Sequence, residues 1–250
     1  MGFARVYRKS KSAWLRVKWY WSVNWTKTIY FNFKMFPFAI AKKLPVFFYG
    51  SVRLSSLKGK MTIDAPIRKA MIGFGQPYEI ITRSKRTAEL FLEGEIIVKG
   101  AIQFGIDYFI YVAENAKLKM GHMASLGNNG KIICYHHIAF GNFARIGFES
   151  QLMDSTFHQM IDTSTGEKLP LTGSIAIGNY NYFGNRISVM PDTKTPDYCT
   201  VASNSVCNKD YLSEGENILI GGIPAKLLRR NVSRDWKGEE ADLEKWLRVY

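Results

Sequence analysis

The chain has four histidines, His122, His136, His137 and His158, and one of them stands where an aliphatic residue is due. Phe140, Ile146 and Leu152 are spaced by six, and the next step of six is His158. An imidazole titrates near neutral pH, so it can take a proton from a weak nucleophile such as a hydroxyl and return it later. Asp154 precedes His158 by one short step, where a carboxylate could orient the ring or stabilise the imidazolium. A bulky polar residue at a buried step is costly without a use, so His158 is read as a general base and Asp154 as its companion. His136 and His137 are read as structural, or as neighbours of the same site or of a second subunit. No Cys or carboxylate has ligand spacing with them, so no metal site is expected. Cys134, Cys199 and Cys207 lack metal-type spacing too, and nothing asks for an oxidising compartment.

The step of six defines the element that must position these groups. Ile177, Phe183, Val189, Thr195, Val201 and Cys207 form the longest ladder. Gly178, Gly184 and Ala202 follow three of those steps, which leaves room for tight corners. A period of six fits neither a helix nor one flat strand, but it fits short strands turned at regular corners, as in a parallel β-helix. Met120, Leu126 and Ile132 form an earlier ladder, and the phase slips by two near Ile138 before Phe140. Gly73, Gly75, Gly94, Gly100 and Gly105 punctuate β-rich runs upstream. The polar interval Gln159–Ser174, with Gly166 and Pro170, reads as a loop leaving the coil. Its Asp162 and Glu167 are read as solvated acids. A solenoid also needs end caps. Ser233 is a candidate N-cap for a tail helix with Trp236, Leu243, Trp246 and Leu247 on its apolar face and Glu239, Glu240 and Glu244 toward water.

The net charge of +13 is unevenly placed. Residues 1–60 hold 13 Lys or Arg, and the first acid is Asp64. The same segment holds Trp14, Trp19, Trp21 and Trp25. Trp14, Val17, Trp21, Trp25 and Ile29 are predicted to share one helical face, with Arg16, Lys27 and Lys34 off it. No stretch reaches the roughly 20 apolar residues of a membrane span, and no secretory pattern is present. Aromatics interleaved with cations suit an anionic membrane surface. The competing reading packs these rings on the protein or on a neighbouring subunit. Nucleic acid is not expected, because no binding motif accompanies the charge.

Two segments carry a resemblance. They are Phe140-Gly-Asn-Phe-Ala-Arg-Ile-Gly147 with Leu152-Met-Asp-Ser-Thr-Phe-His158, and Ile177-Gly-Asn-Tyr-Asn-Tyr-Phe-Gly184 running on to Ile220-Gly-Gly-Ile-Pro-Ala-Lys226. Over roughly residues 98 to 226 the chain resembles the hexapeptide-repeat acyltransferases, most closely the sugar and polysaccharide O-acetyltransferases. The resemblance implies an all-β, left-handed parallel β-helix assembled as a homotrimer, with acetyl-CoA between neighbouring subunits. It also implies direct attack of the acceptor on the thioester, with His158 as the matching base. Tyr182 stands where the family often has Trp. A backbone N–H near Gly184 would face the thioester oxygen. Ala202 and Ser203 match residues flanking the pantetheine channel. Lys209 and Lys226, extended by Arg229 and Arg230, either meet the CoA phosphates or form a solvated basic surface.

The expected organisation is a basic aromatic segment over residues 1–60, a β-helix over 61–230 with its loop at 159–174, and a C-terminal helix over 231–250. The expected activity is transfer of acetyl from acetyl-CoA to a hydroxyl of a surface polysaccharide or its lipid-linked precursor. The expected place is the cytoplasm, peripheral to the inner face of the membrane. A small acceptor (a free sugar, a nucleotide amino sugar or serine) is the rival within the same chemistry. A non-catalytic β-helix scaffold is the rival outside it.

Overall fold

The computed structural model describes residues 21–76 and 86–246. The chain winds as a left-handed parallel β-helix with three faces. The first face runs through Val46–Phe48, Ile72–Phe74, Ile102–Phe104, Ser125–Leu126, Arg145–Ile146, Tyr182–Phe183, Thr200–Val201 and Ile218–Gly222. The second runs through Val52–Leu57, Ala88–Leu92, Phe109–Val112, Lys131–Cys134, Gln151–Met153, Ser188–Val189 and Val206–Cys207. The third runs through Lys60–Ile63, Glu95–Val98, Lys117–Met120, His137–Phe140 and Ser174–Ile177. Strand pairing along each face is parallel, so every coil covers the one before it.

The hexad ladder is the interior. Ile177, Phe183, Val189, Thr195, Val201 and Cys207 are all buried. Tyr182 pairs with Thr200 and Ser188 with Val206, three hexads apart. Earlier coils are two residues longer, since Ser125 pairs with Arg145 and Lys131 with Gln151. The strand His137–Phe140 explains the slip at Ile138. It alternates out and in, and both Ile138 and Phe140 are buried, so that face holds two inward residues where a hexad supplies one.

Corner glycines are required by close stacking. A Cβ on Gly121 would lie 2.4 Å from the Gly141 backbone, and one on Gly141 would lie 2.6 Å from that of Gly178 and Asn179. Gly141→Ala therefore forces two coils apart. The expected cost is about 1–3 kcal/mol, read as a Tm lower by roughly 2–12 °C. An unchanged thermal midpoint would contradict this account of the corner.

The coil starts at Val46, not at residue 61, so it takes in part of the basic aromatic segment. Helix α1, Trp25–Met35, closes that end. Its inner face is Thr28, Phe31 and Asn32, all buried. Phe31 packs edge-on against Phe48, which stacks on Phe74, which stacks on Phe104. Thr28 and Asn32 satisfy the open edge of the first strand. The Val46 N–H donates to Asn32 Oδ1 (3.2 Å), Asn32 Nδ2 donates to the Val46 carbonyl (2.7 Å), and the Phe48 N–H donates to Thr28 Oγ1 (3.0 Å). An unpaired edge would otherwise invite another strand. This corrects the predicted stripe. Trp14 and Val17 lie outside the described residues, Trp21 is exposed, and Ile29 points away from the coil. A short helix α2, Phe38–Ala41, follows.

At the other end Ile218–Gly222 turns back as an antiparallel hairpin with Ala225–Arg230. Helix α3, Trp236–Trp246, does not cap the coil end. It lies along one corner, where Trp236 is buried against Phe143 and Tyr180. The rings of Phe143, Tyr180 and Tyr198 stack at 5.1 and 5.0 Å with planes 4° apart. Asp235, not Ser233, caps α3, with its Oδ1 accepting from the Gly238 N–H at 2.9 Å. Glu239 is half-buried and pairs with Arg234 instead of facing water alone. Leu247 of the predicted apolar face lies outside the described residues.

Candidate active site

The second face ends at Met153, and the chain then leaves the coil. It returns at Ser174 to pair with His137. Between them it forms an antiparallel excursion with bridges at Ser155–Thr172 and Ile161–Lys168. The excursion thus begins before Gln159 and includes His158. Side-chain hydroxyls add to the backbone pairing at its root. Ser155 Oγ donates to the Leu171 carbonyl (3.1 Å) and accepts from the Phe157 N–H (3.1 Å), while Thr156 Oγ1 donates to the His158 carbonyl (3.1 Å). His158 is exposed. It does not occupy an inward step, which corrects that part of the spacing argument.

Asp154 is fully buried at the root of the excursion. Its carboxylate accepts from three successive backbone N–H groups of the preceding coil. Oδ1 takes Tyr135 (2.7 Å), and Oδ2 takes His136 (2.9 Å) and His137 (2.8 Å). These bonds hold the corner before the third face. They tie the start of the excursion to the preceding coil through both carboxylate oxygens. Burial, then the Asp154 carboxylate beside it, pushes the Cys134 thiol up. Burial, then Lys119, His136 and Lys117, pulls His137 down, and its Nε2 is buried without a hydrogen-bond partner. Phe91, Tyr111 and Tyr135 stack in sequence at 4.6 and 5.2 Å, and Phe157 meets Tyr135 edge-on at 5.5 Å.

Most of the residues assigned to the donor lie on one column at the end of the first face. Phe183 pairs with Val201, which sets Gly184 beside Ala202 and Ser203. A Cβ on Gly184 would lie 2.6 Å from Ser203 Oγ, and one on Gly221 would lie 2.8 Å from the Ala202 Cβ. Gly221 pairs with Lys226, so an exposed cation ends this column of small residues. Lys209 is placed elsewhere, at the corner after Val206–Cys207, with its Nζ 5.3 Å from the Tyr211 ring centre. The Gly184 N–H donates to the Val201 carbonyl at 2.9 Å, so it is not free to face a thioester oxygen. The Tyr182 ring is exposed on its outer side, and the Arg234 guanidinium lies 5.1 Å from its centre. Spacing gave no sign of Arg234, which reaches Tyr182 from the tail beside α3. Its only sequence signal is the Arg–x–Trp pair at the start of that helix.

Within one chain the two groups of residues leave from different corners. His158 departs after the second face, and the Tyr182–Ser203 column follows the first.

The solved structure of NeuO, described as a polySia-specific acetyltransferase, matches 80% of this chain and 96% of its own, with a TM-score of 0.51 and 13% identity. The chain shares that fold. OatWY, described as a polysialic acid O-acetyltransferase, matches over 76% of each chain at a TM-score of 0.36 and 15% identity, too low for a comparison of folds. A 24.8 kDa protein in the cps region of Klebsiella pneumoniae is 30% identical over 140 residues, which is 56% of this chain and 60% of that relative. The chain therefore spans less than two thirds of that protein's length. No protein-family model matches the chain.

Proposed function

We propose that the protein transfers an acetyl group from acetyl-CoA to a hydroxyl of a surface polysaccharide or its lipid-linked precursor, with His158 as general base. The observation that carries this reading is the placement of His158. The excursion lifts an imidazole off the interior and presents it to solvent, on a fold shared with a polySia-specific acetyltransferase. The relative from a capsule (cps) region supports a polysaccharide acceptor.

In this reading His158 takes the proton of the acceptor hydroxyl as its oxygen attacks the thioester carbonyl. The carbon–sulfur bond breaks, and the imidazolium returns the proton to the departing thiolate of CoA. The small residues Gly184, Ala202 and Ser203 suit a pantetheine arm laid along the coil, beside the outward Tyr182. Lys226 and Arg229 are exposed and suited to the CoA phosphates. Because His158 and this column leave from different corners, a complete site needs His158 of one copy and the column of the next. That supports a homotrimer with its sites between subunits. A peripheral place at the cytoplasmic face of the membrane would suit this acceptor, since lipid-linked precursors are made there, but the acyl transfer does not depend on it. Among the described residues no helix is long and apolar enough to cross a membrane.

Release of the CoA thiol and transfer of labelled acetyl test the reading directly. Deacetylated capsular polysaccharide, free sugars, nucleotide amino sugars and serine are compared as acceptors. Transfer should be fastest to the polysaccharide. Faster transfer to a small acceptor would overturn the acceptor class, and absence of CoA binding would overturn the activity.

A further inference from the structure

We propose that the outer face of α1 and α2 docks on an anionic lipid surface. The inner face of α1 is fixed by its contacts with the first coil, so the opposite face is the one left to the surroundings. A helix on a solvated surface carries charged and polar residues there. Here the outward residues are Ile29 (47% exposed), Tyr30 (53%) and Phe33 (48%), continued by Phe38 of α2 (70%). The Phe33 and Phe38 rings are 6.1 Å apart and join the two helices into one patch. Lys34, Lys42 and Lys43 are exposed around it, with Lys42 Nζ 6.0 Å from the centre of the Phe38 ring.

Aromatic rings flanked by lysines suit the bilayer interface, where rings sit at headgroup depth and cations meet anionic lipid. The charge selects the occupant. Residues 1–60 hold 13 Lys or Arg, and no acidic residue precedes Asp64. A second copy docked on this face would bring its own cations against these, which is unfavourable. An anionic surface neutralises Lys34, Lys42 and Lys43. The patch covers the end of the coil opposite to the hairpin Ala225–Arg230, and the proposal stands independently of the acyl-transfer reading.

The test uses the full chain and sedimentation with phosphatidylcholine vesicles, with and without phosphatidylglycerol. The wild type should pellet with the anionic vesicles, less so as salt rises, and hardly at all with phosphatidylcholine alone. A variant combining Ile29→Ser, Tyr30→Ser, Phe33→Ser and Phe38→Ser keeps every cation and should partition at least about tenfold less. Phe38→Ser alone, at the most exposed position, should weaken binding several-fold and serves if the combined variant does not fold. Lys34→Gln with Lys42→Gln and Lys43→Gln should flatten the salt dependence. Equal pelleting of wild type and Phe38→Ser would overturn the proposal, as would absence of wild-type binding. A smaller oligomer for the serine variant without vesicles, with no vesicle effect, would assign the face to a second copy and overturn it too.

Discussion

His158→Ala is expected to lower acetyl transfer by about 10²–10⁴-fold while leaving CoA affinity and thermal stability near wild type. The stability part follows from exposure. Among the described contacts, His158 is engaged through its backbone carbonyl, and surface substitutions of this kind usually change stability by less than about 0.5 kcal/mol. The rate part follows from chemistry, since a sugar hydroxyl is a poor nucleophile at neutral pH without a base in reach. His158→Gln keeps hydrogen bonding but cannot turn over a proton, and it should lose nearly as much. Near-normal turnover in either variant would remove the mechanism.

The divided geometry adds a sharper form of the same test. Ser203→Trp places a bulky ring on the column beside Gly184 and should block the donor without touching His158. Each variant alone should be inactive. Mixed and reassembled, they should regain activity, because about one site in four then pairs an intact histidine with an intact column in a trimer built at random. No regain would place both parts of the site in one chain and overturn the shared-site reading.

The ladder was legible because its physics is local. An inward position of a narrow coil must be apolar or small whatever surrounds it, so Ile177 through Cys207 could be counted off. Corner glycines were legible for the same reason, since Gly121 and Gly141 have no room for a Cβ. The slip at Ile138 was visible but its cause was not. It needs the knowledge that the third face carries two inward residues, which only pairing with Lys117–Met120 reveals.

Counting failed where the coil is left. His158 continues the step of six from Leu152, but Ser155 and Thr156 have already taken the backbone out of the strand. The same confusion affected the first helix. Hydrophobic periodicity selected a stripe of which Trp21 and Ile29 are exposed, whereas the side facing the coil sets Trp25 on Phe47 and includes polar Thr28 and Asn32, which bond the open strand edge. A polar residue on a buried face is invisible to a hydrophobic count. Arg234 over Tyr182 joins segments distant in sequence, and no spacing rule connects them.

Asp154→Ala is expected to destabilise the protein by about 3–5 kcal/mol, because it leaves three backbone N–H groups without the acceptor that holds them. Thermal unfolding should show a loss of roughly 6–20 °C. Asp154→Asn should fall between, since its oxygen can serve two of the three donors and its amide then confronts the third. The variants also separate two roles for this carboxylate. A carboxylate that orients His158 would move the pH dependence of the rate when neutralised. An anchor that ties the excursion to the corner at Tyr135–His137 lowers stability and kcat together and leaves the shape of the pH profile alone. The second outcome is expected for Asp154→Asn, with Kd for CoA unchanged because the Tyr182–Ser203 column follows another corner. A shifted pH profile at wild-type stability would return Asp154 to the reacting groups.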